Sequence, residues 1–210
     1  MKKIFVKAFK DFITEEERDV LNKWTLLNYN KDYFIDPKMD SRGLEKTKLT
    51  TRFANPLVNY GNPLLDSSSF DHINFVVSSN PNFNYPDFVY ELQKRIVLTF
   101  DFEDFGLSPV GKDGIITEIS FTGGTVHPHI DPSWFEETYT VHCNFITQKP
   151  KSGGVTYIQG EPWEVNDTDL LMYIVSEAEH FVDEILGEKE RILWVFSFML
   201  SKKDTKRIFQ

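Results

Sequence analysis

The stretch GGTVHPHIDPSWFEE, residues 123 to 137, sets three side chains able to bind a metal, His127, His129 and Asp131, at alternate positions. Alternate residues of a β-strand share a face, so the three point the same way if the strand runs that far. Pro128 and Pro132 constrain it, because proline cannot donate to a β-ladder and places the segment at a sheet edge or at a strand end opening into a loop. His129 and Asp131 are close enough to chelate one ion, and His127 is an alternative first ligand. The same residues also suit a solvated polar turn.

A further imidazole, His180, follows the apolar run 170–175 and the segment Ser176-Glu177-Ala178-Glu179, at the junction with a strand expected to begin at Phe181. Arg191 then opens the apolar run Ile192-Leu193-Trp194-Val195-Phe196-Ser197-Phe198. A guanidinium on the inner face of such a strand needs an anionic partner, since an unpaired buried charge is costly. A bound carboxylate meets that need with bidentate geometry.

The order His129-X-Asp131, Gly153-Gly154-Val155-Thr156, His180, Arg191 closely resembles the 2-oxoglutarate and Fe(II)-dependent oxygenases, in particular the prolyl-4-hydroxylase-like branch. The match spans residues 115–200, roughly half the chain. The resemblance implies a double-stranded β-helix, or cupin-like jelly roll, with iron held by His129, Asp131 and His180, and with Arg191 on the distal carboxylate of 2-oxoglutarate. Two imidazoles and a carboxylate on one face of Fe(II) leave positions for a bidentate 2-oxo acid and O2, which fits that chemistry. The implied activity is a dioxygenase releasing succinate and CO2, and the presence of Asp131 favours hydroxylation over halogenation. Asn144, which shares a strand face with His142, is the implied polar contact to the 2-oxo acid.

Family members often carry Ser or Thr two places after the Arg, where this chain has Leu193, so another strand must complete the pocket or a different 2-oxo acid binds. Glu177, Glu179, Asp183 and Glu184 flank His180 either as competing ligands or as a solvated rim. The alternative reading is a cupin-like metal protein in which Arg191 answers an internal acid. Trp134 and Phe135 are expected to form an aromatic lip or to pack their loop, and Cys143 to pack in the core.

The elements that must position these groups are short. After Lys112-Asp113-Gly114, β-rich runs are expected at 115–120, 125–130, 138–147, 154–158, 169–175, 181–185 and 191–200, a spacing typical of an antiparallel sandwich or barrel. Before it, a strand at 3–9, a helix from a Thr14 capping box to about Asn28 with Val20, Leu21, Trp24 and Leu27 inward, a possible strand at 51–54 and a helix opened by Pro86 with Phe88, Val89, Leu92 and Ile96 inward are expected among loops at 29–50 and 59–85. The fold class is mainly β with flanking helices. The 210 residues suit one domain, with a helical and looped support over about 1–112 and a jelly-roll core over about 113–202.

With 23 Lys plus Arg against 32 Asp plus Glu, the net charge of -9 argues against nucleic acid as the partner. A small-molecule or peptide substrate is expected. Neither a signal peptide nor a membrane-length apolar run is visible, and a single cysteine excludes an intrachain disulfide, so a soluble, cytoplasmic protein is expected.

Overall fold

A computed structural model describes residues 5–28, 50–53, 85–108 and 113–210. The chain opens with β1 (Val6–Phe9) and α1 (Glu15–Asn28), followed by β2 (Thr50–Phe53), α2 (Asp87–Thr99) and β3 (Phe105–Leu107). Helix α1 starts at the expected reciprocal cap: the Glu17 N–H donates to Thr14 Oγ1 at 3.2 Å, and the Thr14 N–H donates to the Glu17 carboxylate at 3.0 Å. Its inward stripe is narrower than expected. Leu21 and Thr25 are buried and Trp24 packs on the core, but Val20 is 47% and Leu27 74% exposed. The helix touches the sheet along one line, fixed where Asn22 Nδ2 donates to the Thr147 carbonyl at 2.9 Å. In α2 the buried positions are Val89, Leu92, Gln93 and Ile96, with Phe88 packed beside them, and Pro86 is the N-cap rather than the first helical residue. The loop readings at 29–49 and 59–84 lie outside the described residues.

The second half carries β4 (Ile115–Ser120), β5 (Val126–His129), β6 (Thr138–Gln148), β7 (Thr156–Ile158), β8 (Glu161–Trp163), β9 (Leu170–Ile174), β10 (His180–Val182), β11 (Arg191–Ser201) and a last helix, α3 (Lys202–Phe209). Their pairing is nested: β4 with β11, β5 with β10, β6 with β9 and β7 with β8, all antiparallel. A single antiparallel ribbon is thereby coiled into a double-stranded β-helix, a jelly roll. The large sheet runs β1-β9-β6-β11-β4-β2 with β3 also on β11, and the small sheet runs β5-β10-β7-β8.

Strand β10 begins at His180, one residue before the expected start, because His180 pairs with both His129 and Ile158. It ends at Val182, so residues 183 to 185 leave the ladder. Strands β3 and β8 and helix α3 were not legible as elements; the first two are three residues each, too short for a period to show. Strands β1, β2 and β3 come from the half expected to serve as helical support, and each joins the large sheet.

Period-2 alternation divides the large sheet's residues between two layers. Ile192, Trp194, Phe196 and Phe198 of β11, with Val141, Cys143 and Phe145 of β6, meet the helices through Leu21, Val89, Leu92, Ile96, Ile208 and Phe209. The expected buttressing of one sheet by helices is what this layer shows. Cys143 packs there as anticipated, and burial drives its thiol pKa well up. The other face looks into the barrel, where Ile116, Ile146, Ile158, Leu171, Tyr173, Leu193 and Val195 form a second cluster.

Candidate metal and 2-oxo acid site

His129 ends β5 and faces His180, which starts β10, with ring centroids 4.1 Å apart. Asp131 lies just past the strand, where the Asp131 N–H donates to the Val175 carbonyl at 3.0 Å and ties the loop to the end of β9. One donor atom from each of His129, Asp131 and His180 falls within 4.8 Å of the others. His129 Nε2 stands 3.5 Å from Asp131 Oδ1, and His180 Nε2 stands 3.8 Å from Asp131 Oδ2. On the far side of its ring, His180 Nδ1 lies 3.0 Å from the Ala178 carbonyl. As an N–H donor there, Nδ1 leaves the Nε2 lone pair for a cation, the usual arrangement of a metal-binding histidine. Two imidazole nitrogens and a carboxylate oxygen therefore fit a divalent transition metal.

His142 and Asn144 of β6 do face the barrel interior, as their spacing indicates. His142 Nε2 is 3.8 Å from Asp131 Oδ2, a closeness to the triad that its expected place on the inner face did not by itself imply. Asn144 is buried and its Nδ2 donates to the Tyr173 hydroxyl at 3.1 Å. Tyr173 was also missed. Its one sequence signal is a phenol on the inward parity of an otherwise apolar strand, LLMYI. Burial first, and then the Asp131 carboxylate, pushes the Tyr173 phenol pKa well up, so it stays protonated. Backbone placement brings His127 into β5, and its side chain lies outside the described residues.

Arg191 is 1% exposed on the inner face of β11. Its Nε donates to the Gly154 carbonyl at 3.1 Å and one terminal nitrogen donates to Thr156 Oγ1 at 3.0 Å. The Gly153-Gly154 pair makes this possible. Both have positive φ, and a Cβ on Gly154 would meet the Arg191 Cδ at 3.3 Å, so the turn comes close to the arginine stem because no side chain intervenes. Leu193, in the position where a hydroxyl was expected, is packed in the inner apolar cluster. The hydroxyl beside Arg191 comes instead from Thr156 on the small sheet. Buried Glu118 sits on the neighbouring strand with Ser120 donating to its carboxylate at 3.0 Å, and Ser120 pairs in register with Arg191.

The acids around His180 divide by role. Glu177, Glu179 and Glu184 are exposed, and Asp183 accepts the Val155 N–H at 2.7 Å, stitching β7 to the segment after β10. Trp134 packs against the inner cluster while Phe135 is exposed, so only Phe135 stands as a lip.

No protein-family model and no curated protein matches the chain in sequence. Solved structures do match. The viral collagen prolyl hydroxylase of Paramecium bursaria Chlorella virus-1, in complex with 2-oxoglutarate, aligns over 93% of this chain and 96% of its own, at 10% identity and a TM-score of 0.59. The likeness is one of fold. A prolyl hydroxylase from Trichoplax adhaerens, in complex with a hypoxia inducible factor peptide fragment, shares this fold over 98% of the chain and 87% of its own, at 11% identity and a TM-score of 0.59. HygX from Streptomyces hygroscopicus, with nickel, 2-oxoglutarate and hygromycin B bound, shares it over 95% and 84%, at 11% identity and a TM-score of 0.59. Among the described residues, no helix is long and apolar enough to cross a membrane.

Proposed function

We propose that this protein is an Fe(II)- and 2-oxoglutarate-dependent dioxygenase that hydroxylates a peptide residue, an amino acid or a small metabolite, with release of succinate and CO2. The observation that carries the reading is the convergence of His129, Asp131 and His180 within 4.8 Å inside a barrel that also buries Arg191. His129 and His180 hold the iron through Nε2 and Asp131 through a carboxylate oxygen. Arg191, oriented by the Gly154 carbonyl and Thr156, receives the distal carboxylate of the 2-oxo acid, and Asn144 supplies a further polar contact. Iron in this site would supply open coordination positions where the 2-oxo acid and O2 react to oxidise a substrate C–H bond. The chain's own contribution is placement: the apolar inner cluster of Leu193, Val195 and Ile116 would limit water at the reacting groups, and exposed Phe135, in the segment just after Asp131, would meet the substrate. The structural neighbours hold a peptide fragment in one case and hygromycin B in another, which supports both substrate classes.

Buried Glu118, which pairs with Leu193 in the ladder and accepts from Ser120, the partner of Arg191, favours a second reading in which the arginine answers an internal acid and the barrel is a cupin-like metal protein. Anaerobic titration with Fe(II) and then 2-oxoglutarate, following the visible charge-transfer band of the chelate, separates the two. The dioxygenase reading expects a band that His129→Ala or His180→Ala abolishes and Arg191→Ala weakens. Iron uptake without the band selects the cupin-like reading, and failure to take up metal rejects both.

A further inference from the structure

Between the metal triad and Arg191 lies a pair of inner-face residues whose geometry assigns one of them a specific task. Tyr173 of β9 pairs in register with His142 of β6, stands edge-on to the His180 ring at 5.2 Å between centroids, and meets Asn144 at 3.1 Å. With Nδ2 toward the phenol, the buried Asn144 Oδ1 has no hydrogen-bond partner among the described residues. A buried acceptor left unmade is destabilising, and an amide oxygen offered to a carboxylate would repel it. The two ends of an amide have nearly the same shape and are told apart by their hydrogen bonds. Turned over with no heavy atom displaced, Asn144 Oδ1 accepts the Tyr173 O–H, and the Nδ2 hydrogens take the side where no partner is met.

We propose that Tyr173 is a positioning residue: its hydroxyl fixes the Asn144 amide with the NH2 group turned inward, as a donor to a carboxylate oxygen of the 2-oxo acid. This rests on the dioxygenase reading above. It also explains how the pocket works with Leu193 in place of a hydroxyl: the polar complement to Arg191 comes from Thr156 on one sheet and from an amide held by Tyr173 on the other.

The test is calorimetric titration of 2-oxoglutarate into full-length protein loaded with redox-inactive Zn(II), comparing wild type, Tyr173→Phe, Asn144→Ala and the double variant. Tyr173→Phe should weaken binding by roughly 10-fold, as for a lost hydrogen bond to a charged group. Asn144→Ala should weaken it at least as much, and the double variant no further than Asn144→Ala alone, with zinc content unchanged. Wild-type affinity in Tyr173→Phe, or additive losses in the double variant, overturns the positioning role and leaves the dioxygenase reading standing. Absence of 2-oxoglutarate binding in wild type overturns that reading and this proposal together. A further variant guards against a misfolded Tyr173→Phe. Asn144→Asp keeps an acceptor for Tyr173 but turns a carboxylate oxygen inward, so it should bind 2-oxoglutarate more weakly than Asn144→Ala, and equal or tighter binding overturns the proposal.

Discussion

His180 stands directly opposite His129 in the β5–β10 ladder, ring centroids 4.1 Å apart, while the Ala178 carbonyl lies 3.0 Å from His180 Nδ1. Two of the three candidate ligands are thus set by strand register and the third, Asp131, by one backbone hydrogen bond to Val175. A one-residue slip in either strand would turn an imidazole to the outer face. Replacing either histidine by alanine should reduce iron content to background while circular dichroism remains that of the wild type. Because a bound metal stabilises only the folded state, Fe(II) should raise the wild-type unfolding free energy by about 2.7 kcal/mol at a hundredfold excess over Kd, read as a higher urea midpoint, and leave both variants unmoved.

Arg191 spends two of its donors on Gly154 and Thr156, and this fixes the plane of the guanidinium. Lysine in its place offers a point charge without that fork. Arg191→Lys should therefore weaken 2-oxoglutarate by roughly 10- to 100-fold, the range for a charge-assisted hydrogen bond, with iron content unaltered. Equal 2-oxoglutarate affinities in Arg191→Lys and wild type would show that the arginine serves Glu118 instead.

Thr156 stands where Leu193 cannot contribute. Thr156→Val keeps the shape of the side chain but removes the acceptor for Arg191. The KM for 2-oxoglutarate should rise about 10-fold, with iron affinity preserved. Adding Leu193→Ser on β11, in the other sheet, should recover part of the loss, because it puts a hydroxyl on the inner face of that strand. No recovery would mean that the two positions do not address the same group.

Much of the site was legible because it is written in strand parity. His129, His142 and Asn144, and Arg191 ahead of an apolar run each state a face, and the structure turns them inward, whereas Asp131 lies past the end of β5 and is placed by its loop. What could not be read is what depends on partners far away in the chain. Tyr173 looks like one more apolar residue of β9 until Asn144 is placed beside it, and Thr156 becomes a pocket residue only because β7 lies across from β11. Strand β1 was read as a strand, but its place beside β9 follows from the ladder that pairs Val6 with Tyr173. The outward turn of Val20 and Leu27 has a local cause in the narrow contact of α1, which hydrophobic periodicity does not record.

The Gly153-Gly154 turn yields a stability prediction. Gly153 has φ +68°, and a Cβ there would sit 1.9 Å from the Glu184 carbonyl oxygen, a backbone atom that cannot step aside. Gly153→Ala should cost more than about 2 kcal/mol by combined clash and left-handed strain, read as a lower urea midpoint. Gly123→Ala is the control. Its φ is also positive, at +81°, but no atom of the described residues lies within 4 Å of the added carbon, so only the conformational cost of about 1 kcal/mol remains.

Helix α3 is anchored by an acid whose titration should be visible in stability. Ser201 caps the helix, accepting the Asp204 N–H at 3.1 Å, and the fully buried Asp204 carboxylate accepts the N–H groups of Glu103 and Asp104 at 3.1 and 3.0 Å and pairs with Arg207 at 2.8 Å. Burial acts to raise the Asp204 pKa, but the Arg207 hydrogen bond and the two backbone donors outweigh it and hold the carboxyl below its ordinary value. A depressed folded-state pKa stabilises the fold above the unfolded value, near 3.9, and that stabilisation is lost as pH falls through the folded pKa. Asp204→Asn cannot carry the charge at any pH. Urea unfolding should therefore show wild type more stable than Asp204→Asn at pH 7, with the gap closing below about pH 4 as the wild-type carboxylate takes up its proton. A gap independent of pH would assign the anchoring to shape and neutral hydrogen bonds rather than to the charge of Asp204.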